Sequence, residues 1–256
     1  MDKSGKKRIL LKIGSNTLTK ETNHISRGKI EDIGMQIAAL KDDYEFVIVS
    51  SGAIAAAKQF VKLEAPDNEI FVKQALASIG QPHLMRIFHE NFSDLGLNTS
   101  QCLLSYSDFE KKQTKLNIVN TINVLVKNSY IPIINENDTV ATDEIQFGDN
   151  DKLAALTAVL LNVDILIIAT NTNGIYTKAS IHNESPETIS LVTDLNSLQN
   201  EIGESKSSHG TGGMQSKIDS AAIAKEANIE TWIINGLEDN FILKALKYEI
   251  AFTKIV

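Results

Sequence analysis

Lysines accompany glycines at two places in the sequence, a combination that suits the binding of a phosphate group. Lys12 lies two residues before Gly14. Lys217 follows the stretch 210–213, in which three of the four residues are glycine. Glycine lets a ligand approach the backbone closely, and the N-terminus of a helix attracts negative charge. Because a lysine in the first turn of a helix opposes the helix dipole, Lys217 indicates an anionic partner. An ordinary solvated lysine is the alternative.

A third glycine segment, Ser50–Ala53, precedes a helical stretch, so its backbone N–H groups could also face an anion. The sequence lacks G-x-x-x-x-G-K-[ST], which excludes a P-loop protein. It also lacks G-x-G-x-x-G, which argues against a Rossmann dinucleotide fold and against a protein-kinase glycine loop. The three glycine segments are therefore the candidate phosphate-binding elements.

Carboxylates and amides are concentrated in two further segments, Asn135–Asp138 and Gly148–Lys152. The second precedes an apolar helical pattern, so helix capping is one explanation. Capping needs only one such residue, whereas this segment has Asp149, Asn150 and Asp151 in a row. Together the two segments could hold a cation, a substrate ammonium group or a hydrated Mg²⁺. Spacing alone does not choose among these.

Other kinds of catalytic site find little support. The five histidines form neither H-E-x-x-H nor a Cys/His metal pattern, and no direct metal ligands are predicted. A serine hydrolase of the G-x-S-x-G type is excluded because that motif is missing. The single cysteine, Cys102, rules out a disulfide scaffold and a four-cysteine zinc site.

The elements that must position these residues alternate along the chain. Short, continuous apolar runs predict strands that are buried on both faces, as in parallel sheets. These runs are Arg8–Ile13, Phe46–Val49, Ile131–Ile134, Ile165–Ala169 and Thr231–Ile234. Apolar residues at spacings of three and four predict helices between them. The helical segments are Gly28–Leu40, Asn117–Lys127, Asp151–Leu161 and Met214–Ala227. The alternation favours an α/β three-layer sandwich, an open parallel sheet with helices on both faces.

Each of the five predicted strands ends in small or polar residues. Ligands of open parallel sheets bind outside the carboxyl ends of the strands, so the five ends predict one composite site. Two segments break the alternation: Val140–Gly148 could form a hairpin, and Tyr176–Gly213 begins irregularly and ends in a loop. No linker divides the chain. The pattern therefore favours one continuous domain over residues 1–256, although this length would also allow two small domains.

The net charge of −7, from 25 basic and 32 acidic side chains, argues against non-specific binding of nucleic acid. It does not exclude a small anion, because a local cationic pocket can lie on an acidic protein. The longest apolar region, 153–169, is interrupted by Asn162 and Asp164, so we expect no membrane span. The basic N-terminus is not followed by an apolar signal core. Together with the unpaired cysteine, this predicts a cytoplasmic protein.

Six of these motifs, in this order, resemble the amino acid kinase family, and most closely its glutamate-phosphorylating branch. They are Leu11–Ser15, Val47–Ala56, Ile134–Asp138, Gly148–Asp151, Asn173–Thr177 and Gly210–Lys217. The resemblance implies an eight-stranded, mostly parallel sheet between helices. It also implies ATP-dependent phosphorylation of the side-chain carboxylate of L-glutamate, with Mg²⁺ as cofactor, to give L-glutamyl 5-phosphate in the first step of proline biosynthesis. The alternatives are an acetylglutamate, aspartate or UMP kinase, or a non-catalytic sensor of amino acids or nucleotides.

The resemblance assigns roles residue by residue. Lys12 and Lys217 match lysines that bind the phosphates and the transferring group, and Asp151 matches an acidic residue that organises them. The amino-acid site is matched by Ser51, Gly52, Asp138 and Asn150. The ATP site is matched by Lys12, Gly14, Thr170, Asn171, Thr211, Gly212, Gly213, Met214, Gln215, Ser216 and Lys217. The family often has Thr-Asp where this chain has Thr170-Asn171.

The resemblance also carries expectations about domains and partners. It places the amino-acid site in the N-terminal part of the domain and the nucleotide site in the C-terminal part. Many family members have an additional C-terminal RNA-binding-like (PUA) domain, whereas this chain ends at Val256, where the kinase domain is expected to end. We therefore expect no appended domain. A homo-oligomer is expected, and glutamyl phosphate reductase is a candidate partner.

Overall fold

An eight-stranded sheet forms the centre of the described protein. The structure, a computed structural model, describes residues 5–140 except 21, 23, 65 and 67, then residues 150–200 and 213–256. The strands are β1 Lys7–Ile13, β2 Tyr44–Ser50, β3 Asn98–Leu104, β4 Tyr130–Glu136, β5 Ile165–Thr170, β6 Leu191–Val192, β7 Glu230–Asn235 and β8 Thr253–Ile255. All five strands predicted from apolar runs are present. β1, β5 and β7 are one or two residues longer than predicted, and β2 and β4 are three residues longer.

The strands are arranged in the order β3-β4-β2-β1-β5-β7-β8-β6. The central strand β1 pairs in parallel with both β2 and β5. The pairing of β7 with β8 is antiparallel, and β6 runs parallel to β8, so the last two strands of the sheet, β8 and β6, run opposite to the other six. The prediction of an open, mostly parallel sheet of about eight strands is confirmed.

Eight α-helices are described. They are α1 Ser15–Thr19, α2 Arg27–Leu40, α3 Ala53–Lys58, α4 Ile70–Ser93, α5 Lys112–Lys127, α6 Asp151–Leu161, α7 Met214–Glu226 and α8 Phe241–Leu246. Two short 3₁₀ segments, Tyr106–Phe109 and Leu195–Asn200, join them. None of the helices in this part of the chain is both long and apolar enough to span a membrane.

Strand side chains alternate between two apolar layers, because successive residues of a strand point to opposite faces of the sheet. On β1, Ile9 and Leu11 pack in the layer that α2, α4 and α8 cover. Leu10 packs in the opposite layer, which α5, α6 and α7 cover. The helices therefore lie on both faces, and the three-layer architecture that the sequence predicted is confirmed.

Two elements near one sheet edge were not predicted. The 24-residue helix α4 contains Gly80 and Pro82, which are poor helix formers. Strand β3 has the polar sequence NTSQCLL and is mostly exposed or half-buried, as suits an edge strand. Neither has the periodicity that identified the other elements. The predicted hairpin at Val140–Gly148 lies outside the described residues from 141 onward.

Candidate active site

The carboxyl ends of the parallel strands lie side by side. The last residue of β1, Ile13, is in register with Ser50 of β2 on one side and with Ala169 of β5 on the other. Thr170 of β5 is in register with Asn235 of β7. The polar residues that follow these strands therefore share one edge of the sheet, as the sequence predicted.

Two lysines converge on one buried carboxylate at this edge. Lys217 Nζ donates to Asp151 Oδ2 at 2.9 Å. Lys12 Nζ forms an ion pair with Asp151 Oδ1, the other oxygen of the same carboxylate. All three side chains are buried, with at most 7% of any residue exposed. The structure thus brings together the three residues that the sequence singled out for catalysis.

The placement of these residues follows from the elements that carry them. Lys12 is two residues along β1 from Leu10, so it points to the same face of the sheet, under α6 and α7. Asp151 is the first residue of α6, and Lys217 lies in the first turn of α7. An ideal Cβ on Gly14 would lie 3.5 Å from Lys12 Nζ, so the backbone after β1 comes close to this ammonium group.

Asn150, the residue before Asp151, points toward the neighbouring strands. Its Nδ2 donates to the Ser50 carbonyl at 3.0 Å, to Ser51 Oγ at 3.2 Å and to Asn135 Oδ1 at 2.8 Å. Its side chain makes no capping hydrogen bond to α6, although it occupies the N-cap position. The capping explanation therefore fails for Asn150. Its amide instead joins the ends of β2 and β4.

The turn between β2 and α3 depends on a glycine. Gly52 has φ of +105°, a conformation that side chains with a Cβ rarely adopt. The turn is fixed on one side by the Ser51 N–H, which donates to the Ile13 carbonyl at 3.0 Å. On the other side α4 packs against it: a Cβ on Gly80 would lie 1.8 Å from the Ala53 carbonyl oxygen. Glycine at 80 is therefore required for α4 to approach the turn between β2 and α3.

A cleft of about 150 Å³ opens beside this turn, between α4, the edge strand β3 and the end of β4. It is lined by Ala77, Ser78, Gln81, Pro82, Gln101, Leu103, Glu136, Asn137, Asp138 and Thr139. Asp138 is 8% exposed, and burial raises the pKa of its carboxyl from 3.8 to about 6. Desolvation disfavours the charged form of a carboxyl. A cationic group entering the cleft would favour that form.

Most residues predicted to hold ATP lie at the end of β5, on the opposite side of β1 from β2, and at the start of α7. Thr170 ends β5 and Asn171 follows it; Thr170 is nearly buried and Asn171 is exposed. Gly213 is the N-cap residue of α7. The next three, Met214, Gln215 and Ser216, form its first turn, where Gln215 Nε2 donates to Asp219 Oδ1 at 2.7 Å. Thr211 and Gly212 lie outside the described residues.

Sequence reasoning missed two residues of this region and left a third without a role. Gln81 and Gln101 line the cleft, and Gln81 bonds to Asn135. Asn135 lies in a segment that the sequence marked as polar, but it was given no function. Gln81 lies between Gly80 and Pro82 in the helix that was not predicted, so no periodic signal marked it. A buried glutamine beside a glycine in an apolar stretch is the signal that could have found it.

Metal-binding side chains do not form a cluster around Lys12 and Lys217 in the described part of the chain. Within the described ranges, no group of three or more His, Cys, Asp or Glu side chains could hold a metal ion. Asp151, the carboxylate between Lys12 and Lys217, already accepts a hydrogen bond from Lys217 and forms an ion pair with Lys12. A magnesium ion that arrives bound to nucleotide phosphates and water needs few protein ligands, so this donor set is compatible with it.

The sequence matches known proteins over most of its length. A model of the amino acid kinase family matches residues 7–235. A protein named glutamate 5-kinase from Neisseria meningitidis is 37% identical over 248 residues, which are 95% of this chain and 66% of that protein. Another of that name, from Alkaliphilus oremlandii, is 39% identical over 250 residues, 96% of this chain and 95% of that protein. The chain therefore spans about two thirds of the first relative and nearly all of the second.

Solved structures share the fold at low sequence identity. UMP kinase from Ureaplasma parvum aligns with a TM-score of 0.64 and 19% identity over 98% of both chains. Carbamate kinase from Giardia lamblia aligns with a TM-score of 0.69 and 15% identity over 99% of both chains. These likenesses concern the fold, whereas the match to residues 7–235 concerns the sequence itself. The chain belongs to the amino acid kinase family.

Proposed function

We propose that this protein transfers the γ-phosphate of ATP to the side-chain carboxylate of L-glutamate, giving L-glutamyl 5-phosphate and ADP. Relatives named glutamate 5-kinase, 37–39% identical over nearly the whole chain, support this substrate. The described site supports the same chemistry, because the buried lysines and the cleft with its carboxylates and amides both lie toward the carboxyl ends of the parallel strands.

The observation that carries the proposal is the position of two consecutive residues at the start of α6. Asn150 reaches Ser51 and Asn135 on the side of β2 and β4. Asp151 reaches Lys12 and Lys217 on the side of β1 and α7. The helix end thus joins an uncharged pocket of amides to a pair of ammonium groups. An acceptor held by the first would present its reacting group to a phosphate held by the second.

The nucleophile needs no general base. A glutamate side chain has a pKa near 4.3, so it is ionised at pH 7. The main obstacle is the approach of one anion to another. The ammonium groups of Lys12 and Lys217 offset that repulsion and stabilise the charge on the transferring phosphoryl group. Asp151 acts on the two lysines: it holds both ammonium groups in place and does not take up a proton.

The amino-acid end of the acceptor is recognised by Asn150, Asp138 and the Ser51–Gly52 turn. Asn150 Oδ1 is buried, and no described residue donates a hydrogen bond to it. It is therefore available to accept from the α-ammonium group of glutamate. The carboxylate of Asp138, buried in the same region, provides the charge that pairs with this ammonium group.

The nucleotide lies over Gly14, Thr170, Asn171 and the residues 211–217 in this proposal. Backbone N–H groups at the start of α7 face the phosphates. A Mg²⁺ ion bound together with the nucleotide would neutralise part of the negative charge of the phosphates. Lys12 and Lys217 remain the protein cations nearest the transfer.

The wider setting is proposed on the same basis. The reaction would be the first step of proline biosynthesis, in the cytoplasm. Its product is an acyl phosphate, a mixed anhydride that water attacks, so a reductase that consumes it promptly is the partner that its chemistry favours. Glutamyl phosphate reductase fits that role, and we propose a homo-oligomeric enzyme.

Trapping of the acyl phosphate by hydroxylamine tests the proposal directly. The full chain is incubated with MgATP, hydroxylamine and one acceptor at a time: L-glutamate, N-acetylglutamate, L-aspartate or UMP. We expect hydroxamate and ADP to form together with glutamate and at far lower rates with the other acceptors. If only one of the other acceptors is phosphorylated, that acceptor is the substrate and glutamate is not. ATP binding without turnover of any acceptor would indicate a sensor.

A further inference from the structure

A line of side-chain amides connects the exposed edge of the sheet with the buried Asn150. Asn150 Nδ2 donates to Asn135 Oδ1 at 2.8 Å. Asn135 Nδ2 donates to Gln81 Oε1 at 2.8 Å. Gln81 Nε2 donates to Gln101 Oε1 at 3.2 Å, and Gln101 lies on the edge strand β3. We call these four residues the amide line. It crosses from β3 through α4 and β4 to the start of α6.

Backbone groups fix the direction of every bond in the amide line. Asn135 Oδ1 also accepts from the Glu136 N–H at 2.9 Å, which only an oxygen can do. Asn150 Nδ2 also donates to the Ser50 carbonyl at 3.0 Å, which only a nitrogen can do. The Asn135 nitrogen must therefore donate to Gln81, and the Gln81 oxygen must accept that hydrogen bond. The oxygen and nitrogen of each amide are thus assigned by the network itself.

The direction of the amide line determines what Asn150 offers to a ligand. Its nitrogen is engaged by three acceptors, so its oxygen is left facing away from them. That oxygen is buried and receives no hydrogen bond from any residue in the described ranges. The Glu136 N–H selects the orientation of Asn135 that places its oxygen on Asn150, and an acceptor for the Asn135 nitrogen stabilises that orientation further. Gln81 is that acceptor.

We infer that Gln81 is a positioning residue for the amino-acid acceptor, acting through Asn135 on Asn150. Gln81 is 8% exposed, so its carbonyl oxygen is a largely desolvated partner of the Asn135 nitrogen. Gly80 assists by letting α4 approach the turn that follows β2, since a Cβ there would lie 1.8 Å from the Ala53 carbonyl oxygen. The inference rests on the proposed function for the identity of the acceptor, but not for the existence of the amide line.

Gln81→Met tests the inference, because methionine has a similar length and no amide. It leaves the buried Asn135 nitrogen without an acceptor, which makes other orientations of Asn135 and Asn150 accessible. We expect the KM for glutamate to rise about tenfold, with the KM for ATP changed less than twofold. Gln101→Met removes only the outermost bond and serves if Gln81→Met fails to fold. We expect it to raise the KM for glutamate about threefold. Unchanged glutamate KM in folded Gln81→Met overturns the inference.

Gln36→Met is the matched control. Gln36 is another buried glutamine with amide hydrogen bonds: its Nε2 donates to Asp32, and its Oε1 accepts from the Ile242 N–H at 2.7 Å. It lies on α2, away from the amide line. We expect Gln36→Met to lower the melting temperature while leaving the KM for glutamate unchanged. A rise in that KM as large as in Gln81→Met would mean that lost stability, rather than position, causes the effect.

A double variant separates action through Asn150 from direct contact with the substrate. If Gln81 acts through Asn150, adding Gln81→Met to Asn150→Ala raises the KM for glutamate no further. Independent, multiplying effects would overturn the inference.

A second readout needs no substrate. In protein labelled with ¹⁵N-asparagine, the side-chain signal of Asn150 is the one lost in Asn150→Ala. We expect Gln81→Met to shift it and Gln36→Met to leave it in place. An unshifted signal in Gln81→Met overturns the inference even if the enzyme uses another acceptor. Absence of glutamate turnover in the unsubstituted protein with a shifted signal would refute the proposed function alone.

Discussion

Among the described residues, buried lysines pair with aspartates at two places, and the ratio of lysines to aspartates is opposite at the two. At the proposed active site, two lysines share the single carboxylate of Asp151. On the other face of the sheet, two carboxylates share one lysine: Lys29 Nζ pairs with Asp32 at 3.1 Å and with Asp239 at 3.2 Å. We call Lys12, Asp151 and Lys217 the lysine pair site, and Lys29, Asp32 and Asp239 the α2 cluster.

The α2 cluster is satisfied by the protein itself. An ammonium group has three donors, and Lys29 finds a third acceptor in the Glu238 carbonyl at 2.8 Å. Asp32 Oδ1 accepts from the Asn240 N–H at 3.0 Å. Its Oδ2 accepts from Gln36 as well as from Lys29. The cluster therefore holds α2 against the turn before α8, and its polar atoms form the hydrogen bonds and ion pairs of this contact.

The lysine pair site has the opposite balance, with two ammonium groups and one carboxylate among its three side chains. Like charges that are held side by side raise the energy of the folded protein. An incoming anion such as a phosphate lowers it. A buried lysine that is matched by carboxylates and backbone carbonyls, such as Lys29, therefore has a structural role. A buried pair of lysines around one carboxylate suits the binding of an anion.

Removing Lys29 should give the largest effect on stability. In Lys29→Met the buried Asp32 loses its cation, and breaking a buried pair in this way costs about 3–5 kcal/mol of unfolding free energy. Urea denaturation at pH 7 measures the loss, and Lys41→Met at the exposed end of α2 is the control. We expect kcat of the folded fraction to stay within twofold. A large fall in kcat together with normal stability would erase the distinction between the two sites.

Removing Lys217 should act on catalysis. In Lys217→Ala we expect kcat to fall about 10²-fold or more, equivalent to about 2.7 kcal/mol, because a cation on the transferring phosphoryl group is lost. The free energy of unfolding should change much less than in Lys29→Met, since the remaining Lys12 still pairs with Asp151. Lys225→Ala, two turns further along α7, is the control for the loss of a charge from the same helix. Unchanged kcat in Lys217→Ala would remove it from the transfer step.

The difference between the two sites could be foreseen from the sequence only in part. Lys12 and Lys217 were recognisable because glycines at a strand end and before a helix accompany them. Lys29 has no such neighbours and lies in an ordinary amphipathic pattern. Its partners Glu238 and Asp239 are more than 200 residues away, in a turn whose position depends on the complete sheet. Burial of a lysine by distant residues leaves no local pattern.

The fold was more predictable than the contacts within the site. Apolar runs such as Ile165–Ala169 and helical spacings such as those in Asp151–Leu161 are local signals, and both elements were predicted correctly. The amide line was not predictable, because Gln81 and Gln101 lie on α4 and β3, which have no clear periodicity. Asn150 was identified as a site residue by resemblance, but its bond to Asn135 depends on the register of β2 and β4.

Asp138 differs from the carboxylates of both lysine sites: it is buried, and it forms no ion pair with any cation in the described ranges. Burial raises the pKa of its carboxyl to about 6. Only the ionised form pairs well with a substrate ammonium group, so the KM for glutamate should rise about tenfold per pH unit below 6. Kinetics between pH 5 and 8 measure this, and Asp94→Asn on the surface is the control. Asp138→Asn should give a high, flat profile. A pH dependence that persists in Asp138→Asn would mean that another group causes it.

The same raised pKa has a consequence for stability. The native carboxyl of Asp138 holds its proton to a higher pH than the unfolded one, so this group makes the free energy of unfolding fall as the pH rises from about 4 to about 6. Above pH 6 the carboxyl is ionised in both states, and its destabilisation of the folded protein has reached its full value. Asp138→Asn should therefore raise the melting temperature of the substrate-free protein more at pH 7.5 than at pH 5. An equal shift at both pH values would contradict ionisation of Asp138 as the cause.

The smallest effect is expected at the outer end of the α2 cluster. The hydrogen bond and charge of Lys29 lower the pKa of the Asp239 carboxyl below its ordinary value. A lowered pKa means stability that is present at neutral pH and is lost as the pH falls through the native pKa. Because the side chain is 69% exposed, solvent screens the pair, and Asp239→Asn should cost less than about 1 kcal/mol of unfolding free energy at pH 7.

Urea denaturation of Asp239→Asn at pH 7 and near pH 3 measures this cost, with the exposed Asp42→Asn as control. The loss should shrink toward the lower pH, and kcat should not change. Asp32 and the Glu238 carbonyl still hold Lys29 in this variant, so the buried half of the α2 cluster stays paired. A loss near that of Lys29→Met would mean that the exposed carboxylate carries the cluster. The ratio of buried carboxylates to buried lysines would then no longer explain the difference between the α2 cluster and the lysine pair site.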